Sequence, residues 1–328
     1  MNSTLVIRNY SSSSPANVSQ CAPDVHLEKM LFLPLYIGIM LLGIPSNCFS
    51  LYVSWQHMRQ KNEIGVYLFN LALADICFIM VGPICMDYVQ RDQWIHGQFL
   101  CNFTIFLIYT NYCTSSTLLC CISVDRYLAV VHPLKYPVLR ELKTAFCVTV
   151  TVWLVTIAFN AATISTHGYY DGGRCFDIYP MPEGQATVST IRFLVGFMFP
   201  ALLIAFCCQG IYRAVKTNKA TDIRERRCVA MLLGAVTLTL WLCFGPIHVV
   251  VLLRALLEKD CQDARQFSIP FKISIALSTL NCLADPLLYC FVTRTAKSKI
   301  SRAVFFIQTK RKKNSLADAQ IGIPILSN

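Results

Sequence analysis

Charge is scarce in this chain. Only 14% of its 328 residues are Asp, Glu, Lys or Arg, where a soluble protein of ordinary composition carries about 25%. Acid is scarcer than base, with 18 Asp and Glu against 29 Lys and Arg. Hydrophobic residues make up 55% of the chain and recur in long runs, which excludes a soluble core and points to a polytopic membrane protein. Internal repeats of the kind that build transporters are not evident. No nucleophile, base and orienting group fall together, so an enzyme is not expected, and no metal-ligand cluster is. The polar start MNSTLVIRNYSSSSPANVSQ has no apolar core, so it reads as a disordered leader and not as a signal peptide.

The apolar runs form seven candidate spans, at residues 31–56, 64–89, 99–131, 143–165, 188–213, 228–257 and 270–292. Each is long enough to cross a bilayer. Prolines at 45, 83, 200, 246 and 286 fall inside them, which packed neighbours and hydroxyl side chains make tolerable. The bases cluster on alternate connections, around Arg59 and Lys61, Lys135 to Lys143, Arg213 to Arg227, and in the tail from Lys297 onward. The net charge of +11 is therefore a topology signal. It puts the C-terminus in the cytoplasm and the N-terminus outside, and no nucleic-acid partner is expected. The predicted organisation is an extracellular glycosylated leader (1–29), a seven-helix bundle (30–293), an amphipathic membrane-surface helix (294–308) and a cytoplasmic tail (309–328).

Asn2, Asn9 and Asn17 open glycosylation sequons in the leader, consistent with its exposure in a secretory compartment. Of 17 cysteines, Cys21, Cys101, Cys175 and Cys261 are predicted outside the spans. Four cysteines in an oxidising compartment suggest two disulfides, with three pairings open. Cys101 tops the third span and Cys175 lies in the longest outer loop, so these two are paired. Cys21 is left with Cys261.

Several short motifs occur in a definite order. They are GIPSNC (43–48), NLALAD (70–75), Asp125-Arg126-Tyr127 at the end of the third span, Trp153, Pro200, CFGPIH (243–248) and NCLADPLLY (281–289). Together they resemble the class A, rhodopsin-like G protein-coupled receptors over about residues 30–308. The resemblance implies an all-α seven-transmembrane bundle with a short eighth helix. It implies a plasma-membrane receptor whose partner is a heterotrimeric G protein. Asp125, Arg126 and Tyr127 would couple to that partner, while Phe244, Pro246, Pro286 and Tyr289 would form the switch. Amine receptors carry an aspartate where this chain has Ile108, and opsins a lysine where it has Thr279, so neither ligand class is favoured.

EIGVYLFNLALAD (63–75), DQWIHG (92–97), CCISVDRYLAVVHPLKY (120–136) and LCFGPIHVVVLLRALLE (242–258) resemble more closely the proton-sensing group of these receptors, once proposed to bind lysolipids. KTNKAT (216–221) and RCFDIYPM (174–181) resemble two different members, which leaves the exact member open. The resemblance implies extracellular protons as the signal and stimulatory coupling through cyclic AMP, with Rho or phospholipase C routes as alternatives.

Proton sensing has a physical counterpart in the residues. Asp75 and Asp285 are both predicted at midplane depth, where two like charges cannot ionise cheaply and would titrate as a pair. Asn111, Ser115 and Asn281 are their expected polar neighbours, and the same oxygens suit a sodium ion at Asp75. No other cofactor is expected. His26, His96, His167 and His248 are candidate pH-sensing imidazoles. Near one another, or near bases such as Lys272 or Arg254, charged imidazoles would repel and rearrange the outer loops.

Three positions depart from the group. Thr156 stands where its members carry a glutamate, Lys272 where they often have histidine, and Cys208 where the wider class has tyrosine. The competing ligand is an anionic lysolipid or fatty acid. For it, Arg192, Arg254 and Lys272 would form a basic rim, with Asp87 as counter-charge. A non-signalling ion-binding membrane protein is the alternative from another class. In the tail, Ile300, Val304, Phe305 and Ile307 alternate with bases and suit a helix lying on anionic lipid.

Overall fold

A computed structural model describes residues 25–132, 135–176, 178–217 and 223–289. Seven helices in it are long and apolar enough to cross a membrane: Phe32–Arg59, Ile64–Arg91, Gly97–Val131, Leu142–Thr166, Glu183–Lys216, Cys228–Leu257 and Cys261–Tyr289. These are spans one to seven below. The chain is thus an all-α, multi-pass membrane bundle. The asymmetry of basic residues predicts that the end bearing the disulfide is the outer one, and the two ends are labelled on that expectation. The leader with Asn2, Asn9, Asn17 and Cys21, the amphipathic segment 294–308 and the tail lie outside the described residues.

Three helix starts differ from the sequence reading. Span seven begins nine residues early because Asp260 caps it, its side chain accepting from the amides of Gln262 at 2.8 Å and Asp263 at 3.0 Å. The first turns carry Gln262, Asp263 and Arg265, so they are helical without being apolar. Span five likewise starts at Glu183 behind Pro182, which fits a helix start. The helix of span one runs from Val25, ahead of the leader boundary at residue 29.

Prolines shape two spans in the same way. Spans five and six each widen to a π-type turn, over Leu194–Met198 and Leu240–Phe244. Each turn lies just before a proline, Pro200 or Pro246. Proline has no N–H to give the preceding turn and its ring crowds that turn's carbonyl, so the helix opens there. The two openings face one another. Phe197 packs edge-on against Trp241, with centroids 5.4 Å apart, and stacks on His248 at 5.5 Å.

Lipid gives helices no hydrophobic reason to associate, so small residues and polar side chains hold the bundle together. Asn47 donates to the carbonyls of Gly43 at 3.0 Å and Cys282 at 2.8 Å, tying span one to span seven. Trp153 donates to Asn70 Oδ1 at 2.9 Å, tying span four to span two. Tyr112 and Ser278 share a hydrogen bond of 2.5 Å between spans three and seven. Leu41, Phe49, Leu154, Leu202 and Leu242 are exposed, as side chains that face hydrocarbon should be.

The outer end is closed by a short hairpin, β1 (Tyr170–Asp171) and β2 (Arg174–Cys175), in antiparallel register. Gly172 and Gly173, at φ +51° and +130°, make its turn. Cys175 is disulfide-bonded to Cys101 at the top of span three. Buried Trp94 clamps the hairpin, its amide donating to Gly173 O at 2.7 Å and its indole to Gly97 O at 2.8 Å. Cys261 is also disulfide-bonded.

Gly65 marks the tightest contact between spans one and two. A Cβ there would sit 2.9 Å from His57 Cβ, Met58 N and Ser54 O, and backbone cannot yield as a side-chain tip can. Gly65→Ala is expected to cost about 1–3 kcal/mol. A thermal-shift measurement on the purified protein should show a lower Tm, and an unchanged Tm would contradict this packing.

Candidate functional site

The midplane residues expected from the sequence come together. Asp75, Asn111, Ser115, Asn281 and Asp285 are all buried, none more than 1% exposed. Asp75 Oδ1 accepts from Asn111 at 3.0 Å and from Asn281 at 3.2 Å. Asn281 also donates to Asn111 Oδ1 at 3.2 Å, and Asn111 reaches Ser115 at 3.4 Å. Asp285 is within electrostatic reach of Asp75. The second Asp75 oxygen and both Asp285 oxygens have no hydrogen-bond partner among the described residues. A buried carboxylate oxygen without a partner is costly, and a proton or a cation at this position would relieve that cost. Its donors are all oxygens, the set that suits a proton or a hard cation. Among the described residues, here or elsewhere, no group of three or more His, Cys, Asp or Glu could hold a metal ion.

One turn beyond Asp285, Tyr289 is buried and its hydroxyl donates to Leu68 O of span two. Phe244 is fully buried and meets Tyr112 edge-on, with centroids 6.0 Å apart. The Phe244 carbonyl pairs with His248 Nδ1 at 2.8 Å. His248 is therefore an interior wall residue that closes the π-type turn of span six.

At the cytoplasmic end, Asp125 and Arg126 belong to a larger network than the sequence suggested. Arg126 Nε donates to Asp125 Oδ2 at 2.9 Å, and its Nη2 contacts the same oxygen. That Nη2 also lies 3.5 Å from Glu63 Oε1. Arg140 Nη2 donates to Glu63 at 2.9 Å, while its Nε stands 3.8 Å from Asp125. Two acids and two bases thus balance, joining the start of span two, the end of span three and the loop before span four. Tyr127 stays outside this network and packs on Phe206 and His132. Glu63 and Arg140 were not singled out from the sequence.

The outer charges correct the expected basic rim. Arg192 is 5% exposed and points into the protein. It donates to Tyr169 Oη at 3.1 Å, Asn160 Oδ1 at 3.1 Å and Thr163 Oγ1 at 3.2 Å, with its guanidinium 3.5 Å over the Tyr109 ring. Arg254 is 2% exposed and pairs with Glu258 at 2.6 and 3.1 Å, sandwiched by Tyr179 and Phe271. Asp87 pairs with Arg91 at 2.8 Å and with His96 at 3.0 Å, and with none of the three bases expected. Arginines inside a bundle take neutral acceptors, rings or an adjacent acid because lipid offers no water. Lys272 is half-buried at a small outer pocket beside Phe32, Tyr88 and Phe271.

The outer histidines are not gathered together. His96 sits against the acid Asp87 and the Trp94 ring, and not against another histidine, Lys272 or Arg254 as expected. His167 packs against Gly184, where a Cβ would overlap its ring. The His26 side chain lies outside the described residues. Thr156 is buried one turn before Asn160 on the span-four face that holds Arg192. Cys208 Sγ is 3.7 Å from Thr237 Oγ1 across spans five and six. The outer cavity, lined by Ile108, Tyr109, Phe176, Ile247, Phe271 and neighbours, holds only about 70 Å³.

Comparison with known proteins agrees with this architecture. Residues 46–289 match the model of the family "7 transmembrane receptor (rhodopsin family)". The chain is 36% identical to G-protein coupled receptor 65 of Homo sapiens over 296 residues, covering 85% of this chain and 88% of that protein. It is 37% identical to G-protein coupled receptor 68 of Mus musculus over 287 residues, covering 86% and 79%. Lysophosphatidic acid receptor 6 of Mus musculus is more distant, 28% identical over 300 residues, with 87% of each chain covered. These relatives are receptors, not enzymes.

If the four-charge network holds Arg126 back, Glu63→Gln should release it. A coupling of about 1–3 kcal/mol would shift the ratio of engaged to released Arg126 about 5- to 150-fold. Basal G protein activation in membranes should rise accordingly. Basal output equal to wild type, at matched surface amount, would exclude that role for Glu63.

Proposed function

The chain belongs to the rhodopsin family of seven-transmembrane receptors, and from that premise we propose that it is a plasma-membrane receptor for extracellular acidity, with its N-terminus outside and heterotrimeric G proteins as partners. The observation that carries this reading is the Asp75–Asp285 centre, with three buried carboxylate oxygens left unpartnered by the described residues. Two uncompensated charges in such a place cost several kcal/mol in order-of-magnitude terms. A proton arriving there relieves that cost. If the proton binds more tightly in the signalling arrangement than in the resting one, it drives the switch by that difference alone.

The His96–Asp87 contact supports the same reading from the outer surface. Asp87 is on span two, three turns beyond Asp75, and His96 precedes span three. That contact joins spans two and three at the end where an extracellular proton would arrive. The runner-up, an anionic lysolipid or fatty acid, is weakened because Arg192 and Arg254 are engaged within the protein. An outer cavity of about 70 Å³ is also small beside the roughly 300–1,000 Å³ usual for organic ligands. Coupling is proposed to be stimulatory, raising cyclic AMP. Sodium is proposed as the competing occupant at Asp75, held with Asn111, Ser115 and Asn281, where its positive charge would offset the carboxylates.

The sign of the pH dependence follows. Protonation favours signalling, so cyclic AMP output should be low near about pH 8 and rise toward about pH 6, across the usual imidazole range. Asp285→Asn mimics the neutral acid, so it should raise output at the alkaline end and flatten the curve. Raising sodium should move the midpoint to lower pH. Thr156→Glu adds a carboxylate to the face holding Arg192 and should move or steepen the curve. A flat wild-type titration would sink acid sensing, and a wild-type curve in Asp285→Asn would sink the role of this centre.

A further inference from the structure

Spans five and six leave a groove of about 490 Å³ between them on the side facing lipid, much larger than the outer cavity. Its walls include Cys208, Ile211, Tyr212, Leu233, Gly234 and Trp241. Gly234 is exposed, and a Cβ there would meet nothing within 4 Å, so no protein atom fills the middle of the groove. The polar atoms on its floor are already satisfied. Thr237 Oγ1 donates to Leu233 O at 2.8 Å, and Cys208 Sγ lies against that hydroxyl. The groove therefore suits plain hydrocarbon along most of its length, with the exposed Tyr212 hydroxyl as a polar group on its wall. It is continuous with the lipid-facing surface, since Tyr212, Leu238 and Trp241 are exposed.

The cytoplasmic end of the groove is different. Lys216 closes span five one turn after Tyr212, on the same helical face, and is exposed. It has no acidic partner among the described salt bridges. A base at the edge of an apolar groove, at the inner-leaflet boundary, matches a lipid with a negative headgroup. We propose that the groove between spans five and six seats one acyl chain of an anionic phospholipid from the cytoplasmic leaflet, with the headgroup at Lys216. The occupant fits the bundle as it stands with Arg126 engaged, so it favours that arrangement over one in which span six has moved. The site is independent of what signal the receptor reads.

The full-length receptor in lipid nanodiscs tests this with photoactivatable probes whose reactive group is on the acyl chain, mapped by mass spectrometry. A phosphatidylserine probe should label groove residues of spans five and six more than a phosphatidylcholine probe. Gly234→Phe, or Ala230→Phe should the first fail to fold, should abolish that labelling. Lys216→Gln should lower labelling by the phosphatidylserine probe about fivefold, to the level of the choline lipid. Equal labelling by both probes in wild type overturns the headgroup contact. Labelling unchanged in a folded groove-filling variant overturns the site. Labelling of the same residues by a sterol probe in preference to both phospholipids overturns the choice of occupant.

Discussion

A charge inside a lipid bilayer has to be neutralised by something, and this constraint sorts every ionised residue in the bundle. Arg254 is met by Glu258 and two rings, and Arg192 by an amide, two hydroxyls and the face of Tyr109. Arg126 and Arg140 are met by Asp125 and Glu63. Each of these groups is balanced or cradled from within the chain. The Asp75–Asp285 centre differs in degree, with three carboxylate oxygens lacking a hydrogen-bond partner among the described residues where Arg192 and Arg140 each leave one Nε. Its amide donors reach one of its carboxylate oxygens and leave the others without a donor. Among the described residues this is the largest buried imbalance of that kind, which is why the proposed acid response is assigned to it.

The same constraint explains why the helices meet where they do. Lipid cannot supply hydrogen-bond partners, so Asn47, Asn70, Asn160 and Tyr112 find theirs on neighbouring spans. Those links fix the spacing of spans one, two, three, four and seven around the two aspartates. Spans five and six are built differently. Both are opened by π-type turns ahead of proline, and both rely on Phe197, Trp241 and His248 for contact. Their arginine ties run outward, from Arg192 to span four and the hairpin and from Arg254 to the segment before span five, while the lipid-facing groove lies between the two spans themselves.

Much of this was legible in the sequence because its signals are local. Hydropathy located seven spans, and the Cys101–Cys175 disulfide followed from the placement of two cysteines. The midplane cluster could be named because carboxylates and amides are rare in apolar runs. The start of span seven was missed because a capped helix can carry polar turns beyond the membrane. Glu63 and Arg140 were missed because they stand 77 residues apart and meet only through the fold. The basic rim was misread because composition shows a base and not which way it points. One signal was available, since Arg254 and Glu258 are four residues apart on one helix, the spacing of an internal ion pair.

The two charged centres are joined by a short run of covalent and hydrogen-bonded steps. Tyr289 follows Asp285 by one helical turn, and its hydroxyl is bonded to the backbone of Leu68. Leu68 lies five residues from Glu63 on span two, about 7.5 Å along a helix axis. Asp75 itself is 12 residues beyond Glu63 on that span, about 18 Å away. A cation that changes the balance between spans two and seven thus acts on the helix that presents Glu63 to Arg126. Contiguity alone does not make a switch, because coupling needs an element with two arrangements. Arg126 is engaged by Glu63 and Asp125 here, and its release from them would be the second arrangement. Neutralising Asp285 and removing Glu63 should therefore act on the same equilibrium. Combined, they should give less than the sum of their separate effects on basal output, whereas full additivity would mean that the two centres are independent.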